Sequence, residues 1–203
     1  AAPSGNLSGR PSPTSAADML EDMDGRIDAV FDGGPCGVGV ESSILDLTVT
    51  PPRLLRAGGL PLEALQSVLG EIIVDKCITQ PVASGEKPKA PGMKYRHYAP
   101  KAPVTVLCGD AAKSADYIRT HAQAGDGVIC FSEFAAGFPG LLVHDLGSAD
   151  NKRTQAQRVF DALRTFDQTS AARIWAQCPD EAGLGLAVAN RLKKAAGFDV
   201  VTV

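Results

Sequence analysis

From residue 104 onward, short apolar runs alternate with amphipathic stretches. Residues 104–108, 128–131, 141–143, 172–176 and 199–203 each read as a strand. Between them, residues 111–122 place Ala111, Ala115, Ile118 and Ala122 on one helical face. Residues 152–167 do the same with Ala156, Val159, Phe160 and Leu163, and residues 185–195 read as a third helix. Strands alternating with helices predict a parallel sheet in a small doubly wound unit. The first seventy or so residues are less regular. Residues 12–23 read as a helix capped by Ser12, with Pro13 in the first position and Ala16, Met19, Leu20 and Met23 on one face. Residues 27–31 read as a strand ending at the turn cluster Asp32-Gly33-Gly34-Pro35. Residues 43–47 and 53–55 read as two more strands, and residues 61–69 as a helix with Leu62, Leu65 and Leu69 on one stripe.

Residues 81–103 break both patterns. Five prolines make regular structure unfavourable there. The expected organisation is a first domain over residues 1–70, a linker over 71–102 and a second domain over 103–203.

Composition narrows the classes. The chain has 203 residues, 44 % hydrophobic and 21 % charged, which is ordinary globular usage. Twenty Lys and Arg against 23 Asp and Glu give net −3, which excludes nucleic-acid binding driven by bulk charge. Positive charge is local: Lys87, Lys89, Lys94, Arg96 and Lys101 face only Glu86 between residues 86 and 101. No apolar run is long enough for a membrane span, and residues 1–6 do not have the pattern of a secretory signal. The five cysteines are far apart and form no CxxC pair, so neither a disulfide framework nor a zinc site is expected. Cys108 and Cys130 lie in apolar runs and read as small core residues. Cytoplasmic residence is the expectation.

Four stretches could carry chemistry. Residues 3–14, PSGNLSGRPSPT, lead hydroxyls, glycines and one Arg into a helix start, whose free N–H groups suit an anion. A polar loop with a cap fits the same residues. Residues 32–44, DGGPCGVGVESSI, hold enough glycine for backbone to approach a ligand closely, or for a hairpin-like connection. In residues 54–59, LLRAGG, Arg56 ends a strand and could present its fork to a phosphate or carboxylate; a surface Arg is the alternative. Residues 91–100, PGMKYRHYAP, interleave aromatics with cations, which suits a nucleotide; an exposed linker is the alternative. GLGLAV at residues 183–188 lacks the third glycine of a dinucleotide fingerprint and reads as helix start and packing. No metal-ligand spacing, P-loop, GxSxG or HExxH motif is present.

Together and in this order, PSGNLSGRPSPT, DGGPCGVGVESSILDLT, LLRAGG and APGMKYRHYAP resemble the two-domain form of the L-threonylcarbamoyladenylate synthases. GLGLAVANRLKKAA resembles that family's C-terminal domain, so the resemblance runs through essentially the whole chain. It implies a fold: part of a twisted YrdC-type α/β sheet followed by a small Rossmann-like parallel α/β domain. It also implies a nucleotidyltransferase reaction that makes threonylcarbamoyl-AMP and pyrophosphate from L-threonine, bicarbonate or CO2, and ATP with Mg2+. The product would pass to a tRNA threonylcarbamoyltransferase for modification of ANN-decoding tRNAs.

By motif, the resemblance assigns ATP contacts to Ser4, Ser12, Arg56 and Tyr95, with Tyr98 a weaker candidate, and threonine contacts to Ala2 and Ser42. No covalent nucleophile, acid–base residue or protein-bound metal is implied. Positioning and charge neutralisation would carry the chemistry. Two departures are local, Gly5 where the family commonly has Ala and Ala57 where Pro is usual. The third is the start at Ala1, directly before the PSGN element, from which the chain alone is expected to be inactive or nearly so. The rival reading is a non-catalytic module that binds a nucleotide or tRNA.

Overall fold

The computed structural model describes residues 5–81 and 97–203. Two sheets organise them. The second is the more regular. Its strands β4 (Val104–Cys108), β5 (Gly127–Cys130), β6 (Leu142–Asp145), β7 (Ile174–Gln177) and β8 (Val200–Thr202) stand in the order β6-β5-β7-β4-β8. Every pairing is parallel. Helices α4 (Ala111–His121), α5 (Lys152–Thr165) and α6 (Gly185–Ala195) connect them. Successive strand residues go to opposite faces, as the pleat requires. Val106 and Ile129 pack with α5 and α6, while Leu107 and Val128 pack with Ala115 and Ile118 of α4. A sheet covered on both faces explains why its strands are near-continuous apolar runs. Asp110 and Asn151 cap α4 and α5 by accepting from the N–H groups of Lys113 and Thr154. The parallel α/β unit expected from the sequence is therefore present, with element ends within one or two residues of their expected places.

The first sheet is small. Strand β1 (Ile44–Asp46) is antiparallel to β2 (Arg53–Arg56), and β2 is parallel to β3 (Ile73–Val74). Helix α1 (Ala16–Met23) precedes it, α2 (Leu62–Leu69) crosses from β2 to β3, and the short α3 (Lys76–Thr79) follows. Regular structure thus runs on to Thr79, inside the 71–102 stretch, while residues 82–96 lie outside the described ones. Leu54, Ile72 and Ile78 share one continuous core with α5 and α6.

Two local expectations are corrected. The first helix starts at Ala16, and its cap is Ser15, not Ser12. Ser15 Oγ accepts from the Asp18 N–H (3.2 Å), and the Asp18 carboxylate accepts from the N–H groups of Ser15 (3.0 Å) and Thr14 (2.8 Å). This reciprocal box satisfies more N–H groups than a lone cap at Ser12 could. Residues 27–31 form no strand. No described strand lies beside them, and Phe31 is 96 % exposed. Among the described residues, no helix is long and apolar enough to cross a membrane.

Candidate functional site

The glycine-rich segment before β1 is held from two directions. From within the first sheet, Gly59 N–H donates to the Glu41 carbonyl (2.8 Å). A Cβ on Gly58 would lie 2.3 Å from that same oxygen and from the Ser42 carbonyl carbon, so only glycine allows this approach. From the second unit, α5 presses on the segment. Gly39 has φ +85°, and a Cβ there would sit 2.3 Å from the Ala156 carbonyl oxygen. Gln157 Nε2 donates to the Gly37 carbonyl (2.8 Å).

Glu41 is the hub that this segment presents. Its Oε1 accepts from Ser12 Oγ (3.0 Å). Its Oε2 accepts from Arg191 Nε (2.9 Å) and Nη2 (2.6 Å). The Tyr98 hydroxyl also helps to hold it ionised. Burial opposes ionisation of Glu41, but the charge and hydrogen bonds of Arg191 outweigh it and hold the carboxyl down at about 2. Next in the chain, Ser42 is fixed by Arg56. Arg56 Nε donates to the Ser42 carbonyl (3.0 Å) and Nη2 to Ser42 Oγ (3.1 Å).

Among the described residues positive charge exceeds negative here: Arg56, Arg191 and Lys194 all act on the Glu41 carboxylate. Burial of Lys194, near Arg191 and Arg56 and partly offset by Cys77 and Glu41, brings its ammonium down to about 8. The half-buried His97 imidazole is lowered by burial. Tyr98 is 1 % exposed, is pushed up to about 12 by burial, and packs on Phe160 of α5 with ring centroids 5.0 Å apart.

Two open concavities share the wall made by Val38, Val40 and Glu41. One, about 460 Å³, is lined on its far side by Ser42, Ser43, Leu45 and Leu65. The other, about 440 Å³, is lined by Ser12, Thr14, Gly37 and Phe160. The shared wall is apolar except for Glu41, with Ser42 on one side and Ser12 on the other, so each place offers an apolar surface with a hydroxyl beside a carboxylate. Among the described residues, no group of three His, Cys, Asp or Glu could hold a metal.

Of the residues singled out by sequence, Ser12, Ser42 and Arg56 converge on Glu41 within this site. Ser12 does so from a place upstream of the helix cap: it is not the helix-start residue expected, and its hydroxyl donates to Glu41. Ala2, Ser4 and Tyr95 lie outside the described residues. Sequence reasoning missed the central part of Glu41 and the contribution of Arg191. One signal was available. Arg191 falls on the apolar stripe of α6 between Val188 and Ala195, and a cation there requires a buried partner.

The family described as "Threonylcarbamoyl-AMP synthase, C-terminal domain" matches residues 60–197, and a second, described as "Telomere recombination", matches residues 1–58. The chain belongs to the threonylcarbamoyl-AMP synthase family. A relative of that name from Bacillus subtilis (strain 168) is 43 % identical over 99 % of this chain and 58 % of its own length. One from Pyrococcus abyssi is 44 % identical over 100 % of this chain and 59 % of its own, and one from Schizosaccharomyces pombe 35 % identical over 97 % and 52 %. The chain thus spans under two thirds of these family members. A crystal structure of P. abyssi Sua5 complexed with L-threonine superposes with a TM-score of 0.81 at 42 % identity, over 99 % of this chain and 58 % of that one. The boundary between the two family matches falls between β2 and α2, so the matched C-terminal part includes β3, which pairs with β2.

Proposed function

We propose that this chain supplies the Ser12–Glu41–Ser42–Arg56 portion of a threonylcarbamoyl-AMP synthase site. The reaction joins L-threonine, CO2 or bicarbonate, and ATP. The threonine amine attacks the CO2 carbon and loses a proton to solvent. A carbamate oxygen then attacks the α-phosphorus, the bond from that phosphorus to the bridging oxygen breaks, and pyrophosphate leaves. Neither step needs a protein nucleophile. The protein's share is to hold two substrates in line and to offset the negative charge gathered at the phosphates.

The observation that carries this reading is the gathering of Ser12, Ser42 and Arg56 around Glu41: Ser12 and Ser42 each line one of two adjoining concavities, and Arg56 holds Ser42 from behind. In it, Ser42 binds threonine, and Arg56, which already fixes the Ser42 hydroxyl, meets the nucleotide with its remaining N–H groups. Ser12 lies on the nucleotide side, joined by Ser4 and Tyr95 on the strength of the motif resemblance, with Ala2 on the threonine side. Mg2+ enters with ATP as substrate; among the described residues the Glu41 carboxylate is engaged by Arg191 and Ser12. The product goes to a tRNA threonylcarbamoyltransferase, and the work is done in the cytoplasm.

The test is pyrophosphate release from ATP with and without L-threonine and bicarbonate. It uses this chain and a fusion of it with the unmatched portion of the B. subtilis relative. The expected result is little release by the chain alone and threonine-dependent release by the fusion, abolished by Arg56→Ala and strongly reduced by Ser42→Ala. A fusion whose pyrophosphate release ignores threonine, or that releases none, overturns the reading.

A further inference from the structure

Arg191 stands 150 positions from Glu41 in sequence and belongs to α6 of the second unit. It is 0 % exposed. Its Nε and Nη2 both go to Glu41 Oε2, its Nη1 donates to Asn190 Oδ1 (2.8 Å), and its guanidinium carbon lies 5.4 Å over the Tyr98 ring. A side chain so enclosed does not touch a ligand. What it touches is the hub of the site. Ser12 hangs on one oxygen of Glu41, Arg191 on the other, and Ser42 is the next residue along.

The charged and titratable groups that face Glu41 come from several elements: Arg56 from β2, Arg191 and Lys194 from α6, and His97 and Tyr98 ahead of β4. Among these, Arg191 makes the two-pronged contact that fixes direction as well as charge. Its neighbour Asn190 adds a second pin, with Nδ2 donating to the Ile78 carbonyl in α3 (2.7 Å). The guanidinium is therefore anchored at both ends.

We propose that Arg191 is a positioning residue for this site: by fixing the Glu41 carboxylate from the second unit, it sets the Ser12 hydroxyl and the Ser42 peptide at their mutual spacing. This rests on the proposed function only for the identity of the ligands, L-threonine on the Ser42 side and a nucleoside triphosphate on the Ser12 side. The geometric claim stands apart from it. It also gives α6 a task in the chemistry without placing Arg191 itself against a substrate.

The experiment compares wild-type chain, Arg191→Lys and the double variant Glu41→Gln/Arg191→Gln. The double variant removes both charges, so no unpaired ion is left buried. Three quantities are read: melting temperature, affinity for L-threonine and for ATP by calorimetry, and amide exchange over residues 37–43. The expected result is a double variant that melts close to wild type, binds both ligands at least about tenfold more weakly, and exchanges faster over residues 37–43. Arg191→Lys falls between, since it keeps the charge and loses the fork. A folded double variant with wild-type affinities and wild-type exchange overturns the proposal and leaves Arg191 as a packing partner. Should the wild-type chain bind neither ligand, the ligand assignment falls, and the exchange comparison alone decides the positioning claim. Should the double variant fail to fold, Arg191→Lys decides it by the same comparison.

Discussion

The two sheets of this molecule are held in different ways. In the five-stranded sheet, Val106, Leu107, Val128 and Ile129 are all 0 % exposed, with helices on both faces. The three-stranded sheet buries Leu54 and Leu55, but around it Leu47 is 65 % exposed, Val68 of α2 82 % and, ahead of them, Phe31 96 %. Much of what fixes the first region is ionic and comes from the second. Arg164 of α5 is 3 % exposed and holds the buried Asp22 (2.7 Å) and the Pro11 carbonyl (2.6 Å). Arg191 of α6 holds Glu41. One region is a packed core in its own right. The other takes much of its order from charged side chains that reach across to it.

That contrast can be broken most directly at Arg164. Arg164→Ala leaves Asp22 buried with Arg10 as its remaining close cation, and should destabilise by about 3–5 kcal/mol in urea unfolding. Amide protection should be lost first over residues 7–24 while β4 to β8 keep theirs. Uniform loss would mean that the two regions are one cooperative body. Leu107→Ala, inside the parallel sheet, should cost about 2–5 kcal/mol. Its loss of protection should begin in β4, β7 and α4, the reverse of the Arg164 pattern.

Acid should separate the regions too. Glu41 is held at about 2 against an ordinary 4.5, a difference on the order of 3 kcal/mol. A depressed carboxylate gives stability that is full above about 4.5 and fades as pH falls toward about 2. Denaturation midpoints measured across that window should drop for wild type, and Glu41→Gln should flatten the drop. The smallest effect is expected at Phe31→Ser. A side chain 96 % exposed should change stability by no more than about 0.5 kcal/mol, and a larger loss in chemical denaturation would show that this surface is covered.

The same contrast explains what could be read in the sequence. The strands and helices from Val104 onward were legible because burial on both faces writes itself as continuous apolar runs between capped amphipathic helices. The first region was legible only in part. Residues 27–31 carry an apolar pattern with no strand to meet it, and Ser12 offered a plausible cap that the Ser15–Asp18 pair out-competes. In the site, Ser12, Ser42 and Arg56 could be found because they sit in short motifs. The Glu41–Arg191 pair could not, because no local spacing joins residues 150 apart. Cysteine spacing was blind in the same way. Cys108 and Cys178, far apart in the chain, become neighbours past the paired ends of β4 and β7, and their interaction lowers the Cys108 thiol while raising that of Cys178. Cys108 is only half-buried, unlike the fully enclosed Cys130.

The span of 150 positions between Glu41 and Arg191 also bears on the order of events in folding. Closing so long a loop is entropically slow, so this contact belongs to the late stage of assembly, after local helices and the parallel sheet have formed. The Glu41 cluster is then a property of the finished molecule. Any molecule that binds there draws the population toward the fully assembled form by mass action, by RT ln(1 + [L]/Kd). Such a ligand would join the unfolding of the two regions into a single transition.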